Sequence, residues 1–432
     1  MVASWLACEA TTTRVVLPAP RTASRSGPAG ELRSLRADRG AATGWRSLAG
    51  PIRFAYHAGM TKRARSKVRF LRWLLAAILL AAIGVGVRCL IPASTPPITD
   101  AQGRLVPGSI ASLEKVTLGG AVQWLLIRGE DATKPVILFV HGGPGAAEMA
   151  VLRVSTRELE RHFVVVVWDQ RGAGKSYGPI EPKAANIRQF VADTRELSEL
   201  LRRRFHQAKI YLAGHSWGSA LGVLTVKQHP ELFHAYIGIG QVVDMKENER
   251  LSYEWTLTQA EQAGDSSAVA TLREIGAPPY SGDWLAATIT QRRLLGKYHG
   301  EAHGSSNGAL PLFIAGLWNA SEYTLPDKIN FFRGAIASMR LLWPELLTVN
   351  LFEQAPRLEV PVYLMTGRHD YETPHPLAER YVEVLQAPHK ELVWFEDSAH
   401  FPNLEETAKF DRVLIEQVLP ATYRPDWSGP QI

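Results

Sequence analysis

The sequence predicts an α/β fold: a mostly parallel sheet opened by an N-terminal hairpin, flanked by helices and interrupted by an inserted helical cap. Three observations carry this. Short, apolar, β-rich runs alternate with helical patterns from about residue 108, Gly119-Gly120 joins the first two runs, and the alternation stops after Gln241 and returns at Val362.

The elements follow in order. Ser112 to Leu118 and Val122 to Arg128 read as a hairpin around the two glycines. Pro135 to Val140, Phe163 to Trp168, Ile210 to Leu212 and Ala235 to Ile239 read as buried parallel strands. Between them, Asn186 to Phe205 is the clearest helix, because Ile187, Phe190, Val191, Leu197, Leu200 and Leu201 share one face while arginines fill the other. The stretch from 243 to 355 reads as helical and aromatic, and an insertion on the side where parallel strands end is expected to cap a site. Val362 to Met365 and Leu392 to Phe395 complete the sheet, so the core is divided into 108–242 and 356–432.

The N-terminal part differs in character. Residues 1–59 are rich in Ala, Arg, Ser, Gly and Pro without helical or strand period, and read as a disordered leader that a start at Met60 would leave untranslated. Residues 60–92 place Lys62, Arg63, Arg65, Lys67, Arg69 and Arg72 ahead of the uncharged run Trp73 to Val87, the order of a signal anchor or transmembrane helix. On that reading the membrane is one partner, and the remaining domain lies on the non-cytoplasmic side.

The formal net charge is +6, but residues 1–72 hold fourteen Lys/Arg against three Asp/Glu, which leaves the remainder at −5. A basic nucleic-acid-binding surface is therefore not expected. The two cysteines, Cys8 and Cys89, lie outside the predicted sheet and say nothing about compartment. Asp169 to Ser176 superficially suggests a phosphate loop, but the glycine required five residues before Gly174 is replaced by Asp169, so the segment reads as a supporting loop. No metal-ligand spacing occurs, and no cofactor is expected.

The chemistry is concentrated in Gly214-His215-Ser216-Trp217-Gly218, which follows a strand and precedes the helical run Ala220 to Gln228. Small flanking residues let the chain turn sharply and expose the hydroxyl over a helix N-terminus, the arrangement of a nucleophile elbow. A serine hydroxyl needs a base to remove its proton and a carboxylate to orient that base. Asp370 and His400 both follow predicted strands and fit the order serine, acid, histidine; Glu372, His369 and His375 compete for the acid loop, and His389, before the last strand, competes for the base. His215 reads as structural. An oxyanion needs two N–H donors, for which the backbone of Trp217 and Gly143 in His141-Gly142-Gly143-Pro144-Gly145 are the candidates, since Pro144 cannot donate.

Taken together, His-Gly-Gly-Pro-Gly at 141–145, Asp-Gln-Arg-Gly-x-Gly-x-Ser at 169–176, Gly-x-Ser-Trp-Gly at 214–218, Gly-Arg-x-Asp at 367–370 and His400 resemble the proline iminopeptidase branch of the α/β-hydrolase superfamily. The resemblance implies the α/β-hydrolase fold, attack by Ser216, proton transfer by His400, orientation by Asp370 and an oxyanion hole at Gly143 and Trp217. It also implies carboxylates in the cap for a free α-amino group, for which Glu247, Glu249 and Glu254 are candidates, although the Trp-Glu pair frequent there is missing and Ser219 replaces a glycine. The expected activity is release of an N-terminal residue from small peptides. A carboxylesterase acting on small esters, and a non-catalytic membrane-anchored binding protein, are the alternatives; the oligomeric state is open.

Overall fold

The computed structural model describes residues 62–424, so the leader expected over 1–59 lies outside the described residues. The chain enters as one helix, α1 (Lys62–Leu90), along which Phe70, Leu71, Trp73, Leu75, Ile78 and Leu79 are exposed. Among the described residues no helix is long and apolar enough to cross a membrane. The uncharged run between Arg72 and Arg88, on which the anchor expectation over 60–92 centres, is shorter than the roughly 20 residues of a full span.

Eight strands then build one sheet in the order β1-β2-β4-β3-β5-β6-β7-β8. The hairpin of β1 (Ile110–Leu118) and β2 (Ala121–Gly129) is antiparallel, and β2 joins the rest of the sheet through an antiparallel pairing with β4. Gly119 and Gly120 stand at φ 51° and 77°, both in the left-handed region that a two-residue hairpin turn of this hand demands.

All later pairings are parallel. The inner strands β3 (Val136–Val140), β4 (Val164–Asp169), β5 (Ile210–His215), β6 (Phe233–Ile239) and β7 (Val362–Gly367) are buried along their whole length, as a sheet covered on both faces requires. Alternate side chains feed two separate cores: Leu138 and Val140 enter one, Ile137 and Phe139 the other. At the edge, β8 (Lys390–Phe395) is only partly buried. β5 runs three residues beyond the apolar triplet because parallel pairing carries Ala213, Gly214 and His215 along β3 and β6.

On the flanks lie α2 (Met149–Ser155), α3 (Ile187–Arg204) and α4 (Trp217–Gln228). Asn186 caps α3 by accepting from Gln189 N at 2.9 Å. Between β6 and β7 the chain makes α5 (Met245–Gln262), α6 (Ser266–Ile275), α7 (Trp284–Lys297), α8 (Leu310–Asn319) and α9 (Leu325–Leu346). These inserted helices and the sheet belong to one compact unit.

Candidate active site

The strand β5 delivers the chain to Ser216 at φ 53°, ψ −120°. For a residue with a Cβ that conformation costs about 1–3 kcal/mol, and Ser216 N is held there by donating to Ile239 O at 2.9 Å. Glycine is sterically required on both sides: a Cβ at Gly218 would stand 2.0 Å from Val140 O, and one at Gly214 would stand 2.4 Å from Gly218 O. Trp217 opens α4, so its N–H belongs to the first turn, which has no intrahelical acceptor.

A brace joins this elbow to the glycine loop after β3. Trp217 Nε1 donates to Gln170 Oε1 at 3.0 Å, and Gln170 Nε2 donates to His141 O at 2.8 Å. His141 Nε2 accepts from Gln170 N at 3.1 Å, so its Nδ1 carries the proton and donates to Gly142 O at 2.8 Å. Burial holds this ring well below the usual histidine range, at about 4, and the neutral tautomer persists. Arg171 anchors the same segment through a buried ion pair with Asp193, 2.9 Å, and a bond to Leu118 O. The stretch 169–176 thus performs the supporting role read from its sequence.

Asp370 lies three residues past β7 and His400 five past β8, and both are buried. Asp370 Oδ2 is 3.0 Å from His400 Nδ1 and accepts from Thr373 Oγ1 at 2.8 Å. Its Oδ1 accepts from the backbone N–H groups of Glu372 and Thr373 at 2.9 and 2.8 Å. With Nδ1–H committed to the carboxylate, the other ring nitrogen of His400 is the one free to take a proton. His400, Ser216 and Gly143 line one cavity. The rivals separate from it: His389 is half exposed beside Glu391, His375 bonds Glu379, and His369 stacks on His303.

The inserted helices close the cavity with Arg292, Met339 and Trp343. Two expectations are corrected here. Glu254 is exposed and bonded to Arg250, the half-buried Glu247 bonds the same arginine, and neither lines the cavity. Glu249 is buried, but Arg292 bonds its Oε1, so its charge is already compensated. The carboxylates that do line the cavity are Glu148, which is paired with His215, and Glu372. Glu372 Oε2 has no hydrogen-bond partner among the described residues. Burial opposes its ionisation, yet His400 and Arg292 hold its carboxyl below the usual value.

Comparison with known proteins bears directly on this arrangement. Residues 131–285 match the family model described as serine aminopeptidase, S33. The probable aminopeptidase YbaC of Bacillus subtilis is 35% identical over 307 residues, covering 71% of this chain and 96% of that protein. The chain belongs to the S33 serine aminopeptidase family. A proline iminopeptidase of Heyndrickxia coagulans is 23% identical over 68% of this chain and 94% of its own. The fold is shared with a proline iminopeptidase-related protein of Thermus thermophilus, at a TM-score of 0.54 and 19% identity, covering 72% of this chain and 98% of that one.

As an S33 hydrolase the chain carries groups that sequence reasoning did not assign. Arg292 had a legible signal: it sits on the face of α7 shared by Leu285, Thr288, Ile289 and Leu295, where a charge demands a buried partner. Glu372 was visible only as loop polarity. Glu148 gave no local signal, because its partner His215 lies 67 residues away, and Thr373, three residues past Asp370, also reaches His400, 27 residues further along.

Proposed function

We propose that this S33 hydrolase is an aminopeptidase that releases the N-terminal residue of small peptides through an acyl-enzyme on Ser216. His400 removes the Ser216 proton as the hydroxyl attacks the carbonyl, and Asp370 holds the ring and stabilises the imidazolium that forms. The N–H groups of Gly143 and Trp217 receive the oxyanion. His400 then protonates the leaving amine, and a water activated by the same ring hydrolyses the ester. Glu372 meets the α-ammonium of the substrate.

One observation carries the peptidase reading: next to the Asp370–His400 pair, the cavity wall holds a carboxylate, Glu372, with an oxygen that no donor among the described residues satisfies. A cationic amine gives that oxygen a donor, whereas a neutral ester leaves it unsatisfied, with Arg292 3.9 Å from the other oxygen of the carboxylate. The names of the relatives point the same way.

The test compares proline 4-nitroanilide, its N-acetylated form and a short-chain 4-nitrophenyl ester as substrates. The free-amine arylamide is expected to be cleaved at least about tenfold more efficiently than the blocked one, since a hydrogen bond to a charged group contributes about 1.5–3 kcal/mol. Preference for the blocked arylamide or the ester removes the aminopeptidase reading. Absence of fluorophosphonate labelling at Ser216 removes the nucleophile assignment itself.

A further inference from the structure

Three loops must keep register at this site: the glycine loop after β3, the elbow at Ser216 and the loop after β8 that carries His400. Their backbones are connected by two side chains to which the reaction above gives no part, Glu148 and His215. Glu148 Oε1 accepts from Gly142 N at 3.0 Å and stands 2.6 Å from His215 Nδ1. His215 Nε2 stands 3.0 Å from His400 O. Both residues are buried, and the His215 ring packs 4.7 Å from the ring of His400 and 4.9 Å from that of Phe401.

The atoms fix where the protons are. A carbonyl oxygen only accepts, so His215 Nε2 carries a hydrogen. On its other side Nδ1 faces a carboxylate oxygen that already accepts from Gly142 N, and the short separation is that of a charge-assisted bond. Burial works against the Glu148 charge, yet His215 opposite holds its carboxyl below the usual value. Glu148 and His215 therefore form a buried hydrogen-bonded pair in which both ring nitrogens are engaged, which is the condition under which such a pair is tolerated. The space around it is tight: a Cβ at Gly142 would stand 3.1 Å from His215 Nδ1, 3.1 Å from Ser216 Cβ and 3.2 Å from Glu148 Oε1.

We infer that Glu148 and His215 are positioning residues that lock the oxyanion loop to the backbone of the base, and thereby set the distance between the oxyanion donors, Ser216 and His400. The inference rests on the proposed roles of Ser216 and His400. Its reason is geometric: donors aimed at a developing oxyanion act fully only within a few tenths of an ångström of their place. Glu148 precedes α2 and receives no support as a helix cap, since its side chain makes no capping bond there. Its carboxylate is turned to the site instead.

The experiment measures kcat and KM on a short-chain 4-nitrophenyl ester, and the rate of fluorophosphonate labelling, for Glu148→Ala, Glu148→Gln and Ser216→Ala, with melting curves for each. Glu148→Ala is expected to lower kcat and the labelling rate in parallel by about 10–100-fold, with KM changed less than about twofold, because the loss falls on the transition state. Glu148→Gln is expected to fall between Ala and the parent: its amide oxygen still accepts from Gly142 N, but it cannot make the charge-assisted bond to His215. Parental kcat in a folded Glu148→Ala protein, or a loss confined to KM, overturns the inference. Should Glu148→Ala fail to fold, parental kcat in Glu148→Gln overturns it. Activity retained by Ser216→Ala instead marks failure of the underlying assignment, which keeps the two distinguishable.

Discussion

His400 Nδ1 lies 3.0 Å from Asp370 Oδ2, and that same oxygen accepts from the Thr373 hydroxyl, which is itself 3.1 Å from the ring nitrogen. The acid is thus fixed by four donors, two from backbone and two from side chains. Asp370→Asn presents an amide where Nδ1–H requires an acceptor and favours the wrong tautomer. It is expected to lower kcat by about 10³–10⁴ with KM nearly unchanged. Thr373→Val removes one donor and leaves the acid in place, so a loss of about tenfold is expected. Steady-state kinetics of both variants check this; equal losses would mean that Thr373 does more than orient Asp370.

The acidity of His400 sets the working range. Burial alone would lower its pKa, but Asp370, Glu372 and Glu301 oppose that and raise it to about 9. A base must be neutral to accept the serine proton, so kcat/KM is expected to climb between pH 7 and about 9 and then level. Glu372→Gln removes one of the opposing carboxylates, lowers the pKa of His400 and moves the climbing limb to lower pH. The ester substrate, which has no amine, isolates this effect from substrate binding. A profile flat from pH 7 to 9 in the parent contradicts it.

Much of this site was legible because its signals are local. Gly214, Gly218 and the flanking strand and helix announce the turn at Ser216, and Gly119-Gly120 announces the hairpin. Asp370 and His400 follow from strand ends together with the order serine, acid, histidine, which by itself leaves the rivals in the same loop open. What failed was the choice among acidic side chains on α5. Glu249 and Glu254 are five residues apart and so cannot share a helix face, and which of them turns inward depends on Arg292, 43 residues further along. A helical pattern states that one face is buried, while the partner of a buried charge is a fact of tertiary contact. The same limit hid Glu148, whose partner His215 ends β5, 67 residues further along.

The buried pair of Arg171 and Asp193 supports the brace beneath the elbow. Asp193 also accepts from Gln123 Nε2 at 3.1 Å and Gln189 Nε2 at 2.8 Å. Asp193→Ala strands the Arg171 guanidinium without its counter-ion, a change that costs about 3–5 kcal/mol. Urea titration is expected to show a loss of that order. A loss below about 1 kcal/mol would mean that the guanidinium finds another partner once the carboxylate is gone.

Asp169, at the end of β4, gives stability a pH dependence of the opposite sign from an ordinary ion pair. Its Oδ2 accepts from Lys175 N at 2.8 Å and from the Tyr323 hydroxyl at 2.6 Å, which ties the sheet to the inserted helices, while Oδ1 has no partner among the described residues. Burial is the largest influence and outweighs both bonds, raising the carboxyl from 3.8 to about 7. Between those two values the folded protein binds the proton more tightly than the unfolded chain, so stability falls as pH rises through the window and is fully reduced above about 7. Asp169→Asn has no charge to bury and keeps an oxygen for both donors. The parent's stability relative to this variant is therefore expected to decline from pH 4 to pH 7.5, by up to about 4 kcal/mol. Asp411, also raised to about 7 by burial, contributes equally to both proteins and cancels in the difference. Urea midpoints at pH 4.5, 6 and 7.5 measure it, and a difference independent of pH would show that Asp169 stays ionised throughout.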